Sequence, residues 1–226
     1  VFCVSLIEKN LRDLQNRFKE LASFTDLFEI RLDALSPYEL SEEGLRSFFK
    51  GGQKLVFTFR SPLEGGLRKV AKKEREKWLF WALSQKESFL VDFEWQEFKE
   101  YPFSPGELEK VLFSYHLFDR AFKPGEAEDI LKEMSEKGVR WAKLISTPSA
   151  KEEALGHLEL LQYASRLGIK LISFGMGEAG KFTRLLCLFF GSPYTYVAAS
   201  ADKKAAPGQV DITTAKKIYQ NLKELF

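Results

Sequence analysis

The sequence predicts a (β/α)8 barrel occupying residues 1–226 as a single domain, and three observations carry that expectation. Strand-like and helix-like segments alternate eight times with no element left over. The chain length is close to the roughly 250 residues such a barrel takes. No Pro/Gly/Ser-rich linker, low-complexity tract or solenoid-period repeat interrupts it. An open doubly wound sheet is the alternative, because it too alternates strands with helices.

The first strand is FCVSL (2–6), followed by an amphipathic run over 8–23. In the second, LFEIRLD (27–33), Phe28, Ile30 and Leu32 share one parity and Glu29, Arg31 and Asp33 the other. A strand therefore sends all three charges to one face. In an antiparallel sheet that face would be wet. In a closed parallel barrel both faces are covered, and the charges must pair or bind something. A helix is expected over 39–50, then the strand KLVFTFR (54–60) and a long helix over 67–85. SFLVDFE (88–94) precedes a short helix beginning at the capping signature Ser104 to Glu107. VLFSYH (111–116) leads to a helix over 124–137, where Pro124 suits the first turn and Gly138 a C-terminal cap. RWAKLI (140–145) leads to 150–167, closed by Gly168; IKLISF (169–174) leads to 178–190; TYVAAS (195–200) leads to a last helix over 211–225.

Composition narrows the function class. Hydrophobic residues at 45% and charged residues at 29% are ordinary for a globular chain, and a net charge of +2 gives no electrostatic case for nucleic acid or a membrane surface. Lys and Arg in stretches such as RKVAKKEREK are interleaved with acids and read as a solvated helix face. No apolar run approaches the roughly 18 residues of a membrane span. Cys3 and Cys187 have no metal-ligand spacing and read as small buried hydrophobes, so no metal site is expected. The chain opens on a strand without a signal-peptide pattern, which makes the cytoplasm the expected compartment; Val rather than Met at position 1 is expected of a chain lacking a few leading residues.

In a barrel the active site lies at the C-terminal ends of the strands. Those ends carry Glu29, Arg31 and Asp33, Thr58 and Arg60, Asp92 and Glu94, Ser114 and His116, Lys143, and Phe174 and Met176. His116 is one of two histidines; a lone histidine is often a structural hydrogen-bonder, but at a strand end its pKa suits proton transfer near neutrality. The other, His157, sits in an amphipathic run away from any strand end and is expected at the surface or a boundary. Lys143, flanked by Trp141, Ala142, Leu144 and Ile145, is either a snorkelling edge lysine or an amine whose pKa is lowered by burial and nearby cations, able to form a Schiff base with a carbonyl. Gly175 to Lys181 reads G-x-x-x-x-G-K, but Phe182 follows where a nucleotide-binding loop needs Ser or Thr. What survives is a glycine-rich turn entering a helix, with Arg184 able to add charge for an anion. The segment SADKKAAPGQV (200–210) is a surface loop or a lid.

FEIRLD, LVFTFRSPLEGG, FSYHLF, AKLIS, FGMGEAGKFTRL, FGSPYTY and APGQ together resemble, in order and approximate spacing over about residues 2–225, the type I 3-dehydroquinate dehydratases of the shikimate pathway. The resemblance implies a barrel that dehydrates 3-dehydroquinate to 3-dehydroshikimate through a lysine imine, without metal or organic cofactor. By resemblance Lys143 forms the imine, His116 is the general acid/base, and Glu64 pairs with and orients the histidine. Glu29 and Arg60 match groups that bind substrate hydroxyls, and Arg31 belongs to the same polar floor. Arg184 and Gln209 match a clamp on the substrate carboxylate, and Phe118 and Met176 match apolar residues lining the pocket. The family's usual lid serine is here Ala205, a loss of about 1.5–3 kcal/mol of binding unless Lys203, Lys204 or water substitutes. Phe174 stands where the family commonly has methionine. Family members are often dimers and in some organisms are fused to a shikimate dehydrogenase; no face of the sequence declares an interface. A class I aldolase-like Schiff-base barrel would use Lys143 but leave Glu64, His116 and Gln209 without a role. A non-catalytic barrel that binds a small carboxylate would account for Ala205.

Overall fold

The computed structural model describes residues 1–202, 206 and 208–224. Eight parallel strands, β1 (Phe2–Leu6), β2 (Leu27–Arg31), β3 (Lys54–Thr58), β4 (Ser88–Glu94), β5 (Val111–Leu117), β6 (Trp141–Ser146), β7 (Lys170–Gly175) and β8 (Thr195–Ala198), form one sheet in the order β7-β6-β5-β4-β3-β2-β1-β8. Each strand from β2 to β7 pairs with its predecessor, and β1 also pairs with β8, so the sheet curls into a nearly closed barrel. Among the described residues only the β7–β8 seam lacks a ladder.

The chain folds this way because its strands are apolar on the face that helices cover. Phe28, Ile30 and Leu32 are fully buried between strand and helix, where Phe18 of α1 (Leu11–Leu21) packs on Phe28 with ring centroids 4.7 Å apart. Their neighbours Glu29 and Arg31 have the opposite parity and enter the barrel. The alternation of FEIRLD is thus one greasy outer face and one charged inner face of a single covered strand.

Several helices differ from expectation for local reasons. The helix expected over 39–50 is only α2 (Glu42–Arg46), capped by Ser41 and flanked by 3-10 turns at Pro37–Glu39 and Ser47–Gly51. α3 (Lys72–Ser84) begins five residues late, because the preceding loop is tied down when Leu67 N donates to Asp33 at 2.9 Å. After β4 come two short helices, α4 (Trp95–Phe98) and α5 (Pro105–Leu108), the second with the expected Ser104–Glu107 capping box. α6 (Glu126–Glu136) and α7 (Lys151–Arg166) follow β5 and β6. The helix expected over 178–190 is broken into α8 (Gly177–Gly180), α9 (Thr183–Leu186) and a 3-10 turn. Thr183 Oγ1 causes the break: it donates to Gly180 O at 2.7 Å and accepts from Gly175 N at 2.9 Å. α10 (Ile212–Lys223) closes the chain, and no helix among the described residues is long and apolar enough to cross a membrane.

His157 corrects the expectation of a surface or boundary residue. It is 2% exposed on the inner face of α7, in register with Leu161 and Ala164 at positions i+4 and i+7. Ser173 Oγ donates to Leu144 O at 3.0 Å, so it accepts from His157 Nδ1 at 2.7 Å, and Ser146 Oγ donates to Nε2 at 2.8 Å. The imidazole joins α7 to both β6 and β7 as a neutral ring, and burial pushes its pKa down to about 3.

Two outcomes follow for stability. A Cβ at Gly180 would stand 2.5 Å from Gly175 C, so Gly180→Ala is expected to lower the melting temperature by about 2–12 °C through about 1–3 kcal/mol of overpacking. Gly156→Ala in α7, where a Cβ meets open space, is expected to raise it. Separately, unfolded His157 binds a proton below its ordinary pKa while folded His157 stays neutral down to about pH 3, so stability is present near neutrality and lost as pH falls. His157→Gln is expected to shrink the stability difference between pH 7 and pH 5 by about 2 kcal/mol, read from urea unfolding at each pH.

Candidate active site

The interior parity of the strands is apolar low in the barrel and polar in its middle, where Ser5, Glu29, Thr58, Asp92, Ser114 and Lys143 meet. Ser5 Oγ donates to Glu29 at 2.7 Å and Thr58 Oγ1 at 2.8 Å, so both carboxylate oxygens are satisfied by neighbouring strands. Arg60, just beyond β3, donates to Asp92 and Ser114, and Ser114 donates in turn to Asp92 at 2.6 Å. The Lys143 amine lies 3.5 Å from Asp92 and 4.3 Å from the centre of the Tyr196 ring.

Above this layer His116 Nδ1 lies 2.7 Å from Glu64 Oε2, and Arg60 approaches the same oxygen at 3.4 Å. Glu64 reaches inward because Pro62–Glu64 forms a 3-10 turn ended by Gly65, whose φ of 81° a side chain would strain and whose missing Cβ leaves room for the Phe118 ring. Phe118 stacks beside His116 with ring planes 18° apart. Glu94 accepts from Ser61 N at 2.6 Å and lies between Arg60 at 3.8 Å and Arg75 at 3.7 Å. Arg31 is turned by a two-pronged pair with Asp33, at 2.9 and 2.7 Å.

These groups surround a cavity of about 250 Å³ at the C-terminal end of the barrel. Lys143, His116 and Glu64 line it, as do Glu29, Arg31 and Arg60. Arg184, Gln209, Phe118 and Met176 line it too, so all ten residues to which the resemblance gives a catalytic or binding role face one space. The Arg184 guanidinium lies 4.4 Å over the Phe174 ring. Burial lowers it to about 10, which leaves it a cation at neutral pH. Gln209 N donates to Ala206 O at 3.3 Å, and both residues border the cavity. The expectations for Lys203, Lys204 and Ala205 lie outside the described residues.

Opposed environments set the proton affinities. Burial pushes Lys143 down; Asp92 counters this and Arg60 adds to it, leaving the amine easier to deprotonate than a free lysine. Burial pulls Asp92 up, but Arg60 and Lys143 outweigh it and hold the carboxylate below its usual range. Burial raises Glu64 to about 8 against the pull of Arg60, while burial and then Arg60 and Lys143 press His116 well below its ordinary value. A carboxyl moved up and an imidazole moved down, 2.7 Å apart, titrate as one unit sharing one proton.

Sequence reasoning placed Asp92, Ser114 and Thr58 at the strand ends without a role, and missed Ser5 and Tyr196. Parity offered a signal for both: each lies an even number of residues from another inward position on its own strand. What parity could not tell was which of them reaches Lys143.

A family model for type I 3-dehydroquinase matches residues 2–225. A 3-dehydroquinate dehydratase of Methanococcus maripaludis is 32% identical over 97% of this chain and 99% of its own. One from Methanocaldococcus jannaschii is also 32% identical, over 97% and 98%. In fold, the chain is similar to the solved type I 3-dehydroquinate dehydratase of Clostridium difficile, with TM-score 0.83 and 24% identity over all of this chain and 92% of that one.

The shared proton is directly measurable. By NMR the Glu64 carboxyl is expected to give up the proton of the pair near pH 8, while the His116 ring stays uncharged to well below its ordinary imidazole value. A His116 transition in the unsubstituted protein at the ordinary imidazole value would contradict the coupling.

Proposed function

The chain belongs to the type I 3-dehydroquinase family and dehydrates 3-dehydroquinate to 3-dehydroshikimate, and we propose that it does so through an imine on Lys143 worked by the Glu64–His116 pair. The observation that carries this reading is a buried amine, near a hydrogen-bonded carboxyl–imidazole pair and three arginines, all lining one small cavity.

The substrate is a small hydroxylated ring bearing a carboxylate and a ketone. Arg184 attracts the carboxylate as a buried cation, and Gln209 closes over it. Glu29 and Arg60, with Arg31 beside them, take the ring hydroxyls; the pairs each already makes hold these side chains in place before substrate arrives. Phe118 and Met176 cover the apolar ring edge and exclude water.

Neutral Lys143 attacks the ketone carbon, and the oxygen leaves as water after receiving protons through His116. The protonated imine draws electrons from the adjacent C–H bond, and the imidazole removes that proton in the form of the pair that has lost its shared proton. The electron pair returns as the neighbouring hydroxyl departs, and His116 returns the proton so that it leaves as water. One water then hydrolyses the imine, freeing product and amine. The sum is substrate to product plus one water, and the imine is the only electron sink required.

Asp92, 3.5 Å from the free amine, is placed to support the positive charge that the nitrogen carries as an imine. The two cysteines are free and buried, which suits the reducing cytoplasm in which we place the enzyme.

Borohydride reduction in the presence of 3-dehydroquinate is expected to fix the ligand's mass on Lys143, and Lys143→Ala to abolish it. His116→Ala is expected to form the adduct but lose about 10²–10⁴-fold in kcat. Turnover of 3-dehydroquinate with no adduct on Lys143 would overturn the imine route.

A further inference from the structure

The Lys143 amine lies between side chains of two strands on opposite sides of the barrel. Asp92 of β4 reaches it at 3.5 Å, and the ring of Tyr196 on β8 meets it face-on with the amine 4.3 Å from the ring centre. We propose that Tyr196 is the positioning residue for this amine: its ring face holds the nitrogen across from Asp92 at the cavity, and favours its cationic forms over the neutral one. The inference rests on the imine reading for its catalytic consequence, but not for the contact itself.

Three observations support the assignment. Tyr196 is 4% exposed and lines the same cavity as Lys143, so the contact is sealed from bulk water where a ring–cation attraction is strongest. Its ring is itself immobilised: Tyr194 lies edge-on at 5.4 Å, and the two hydroxyls are 3.3 Å apart. That bond leaves the ring face, not the hydroxyl, turned toward the amine. Lastly, Asp92 is already committed to Arg60 and Ser114, so it pulls the amine toward β4 without closing around it. The ring on the far side balances that pull.

The chemistry follows from which states carry charge. The ring attracts the ammonium and the protonated imine, and is indifferent to the neutral amine. It therefore opposes burial in setting the amine's affinity for protons, and it stabilises the imine when it must withdraw electrons. Other charged or titratable groups surround the amine: Cys3 on β1, Glu29 and Arg31 on β2, Arg60 and Glu64 after β3, Asp92 on β4 and His116 on β5. A test must change the ring's electrons and leave all of these in place.

Replacing Tyr196 by phenylalanine and by its mono-, di- and trifluorinated forms does this, since fluorine drains the ring face with little change in volume. The pH midpoint for acetylation of Lys143 by dilute acetic anhydride, read by peptide mass spectrometry without substrate, is expected to fall stepwise along the series by about one unit in total. From Tyr196→Phe to the trifluorinated form kcat is expected to fall about tenfold with KM changing less than about threefold. Midpoints that do not move across the fluorinated series overturn the inference, and so does a Tyr196→Leu protein that matches Tyr196→Phe in midpoint and kcat. A parent enzyme that yields no borohydride adduct while the midpoints still shift would sink the imine reading and leave the ring–amine contact standing.

Discussion

A guanidinium sealed inside the barrel holds the rest of the site in place. Arg60 is 3% exposed, bonds Asp92 and Ser114, and approaches Glu64 and Glu94. In a barrel whose strands are covered on both faces, each of those carboxyls would be costly to bury alone. Burial works against the charge on Arg60, but the acids around it more than compensate and hold it protonated beyond its ordinary range. With that cation fixed, Asp92 stays ionised beside Lys143, and Glu64 is left as the acid that burial can push up. The same cation lowers both His116 and Lys143. One side chain thus sets the proton affinities of the groups that handle protons.

The rest of the architecture serves to keep that cluster rigid and dry. Hydrogen bonds from Ser5 and Thr58 hold Glu29 between β1 and β3, and Asp33 fixes both Arg31 and the loop that carries Glu64. On the outside, the Ser146–His157–Ser173 chain ties α7 to β6, the strand that carries Lys143, and to its neighbour β7. Buried polar groups of this kind are stable because each donor meets an acceptor. Preorganisation also means that little must move when a charged ligand arrives, which is where electrostatic stabilisation is most effective.

Much of this was legible in the chain alone. Eight alternations marked the barrel, and the parity of FEIRLD required a charged inner face once both faces were known to be covered. The strand-end rule then collected Glu29, Arg31, Arg60, His116 and Lys143, because in this fold side chains at those ends converge. Helix breaks were less legible. α8 and α9 part because Thr183 bonds back to Gly180 and Gly175, and the loop before α3 stays open because Asp33, 34 residues earlier, takes Leu67 N. His157 was misplaced although it shares a stripe with Leu161 and Ala164, since a polar residue on an apolar face reads as a boundary until its partners are known.

The sequence by itself determined the order of strands, the inward parity of the charged residues and the presence of one lysine and one histidine at strand ends, because these are set by near neighbours along the chain. The family resemblance implied that Glu64 pairs with His116, 52 residues away, and the fold brings them to 2.7 Å; only the tertiary structure decided that Asp92 and Tyr196 enclose Lys143 from opposite strands. Those contacts depend on how far the sheet curls and which inward side chains reach the axis at the same height. Closure is a property of all eight strands together, so no local pattern encodes it.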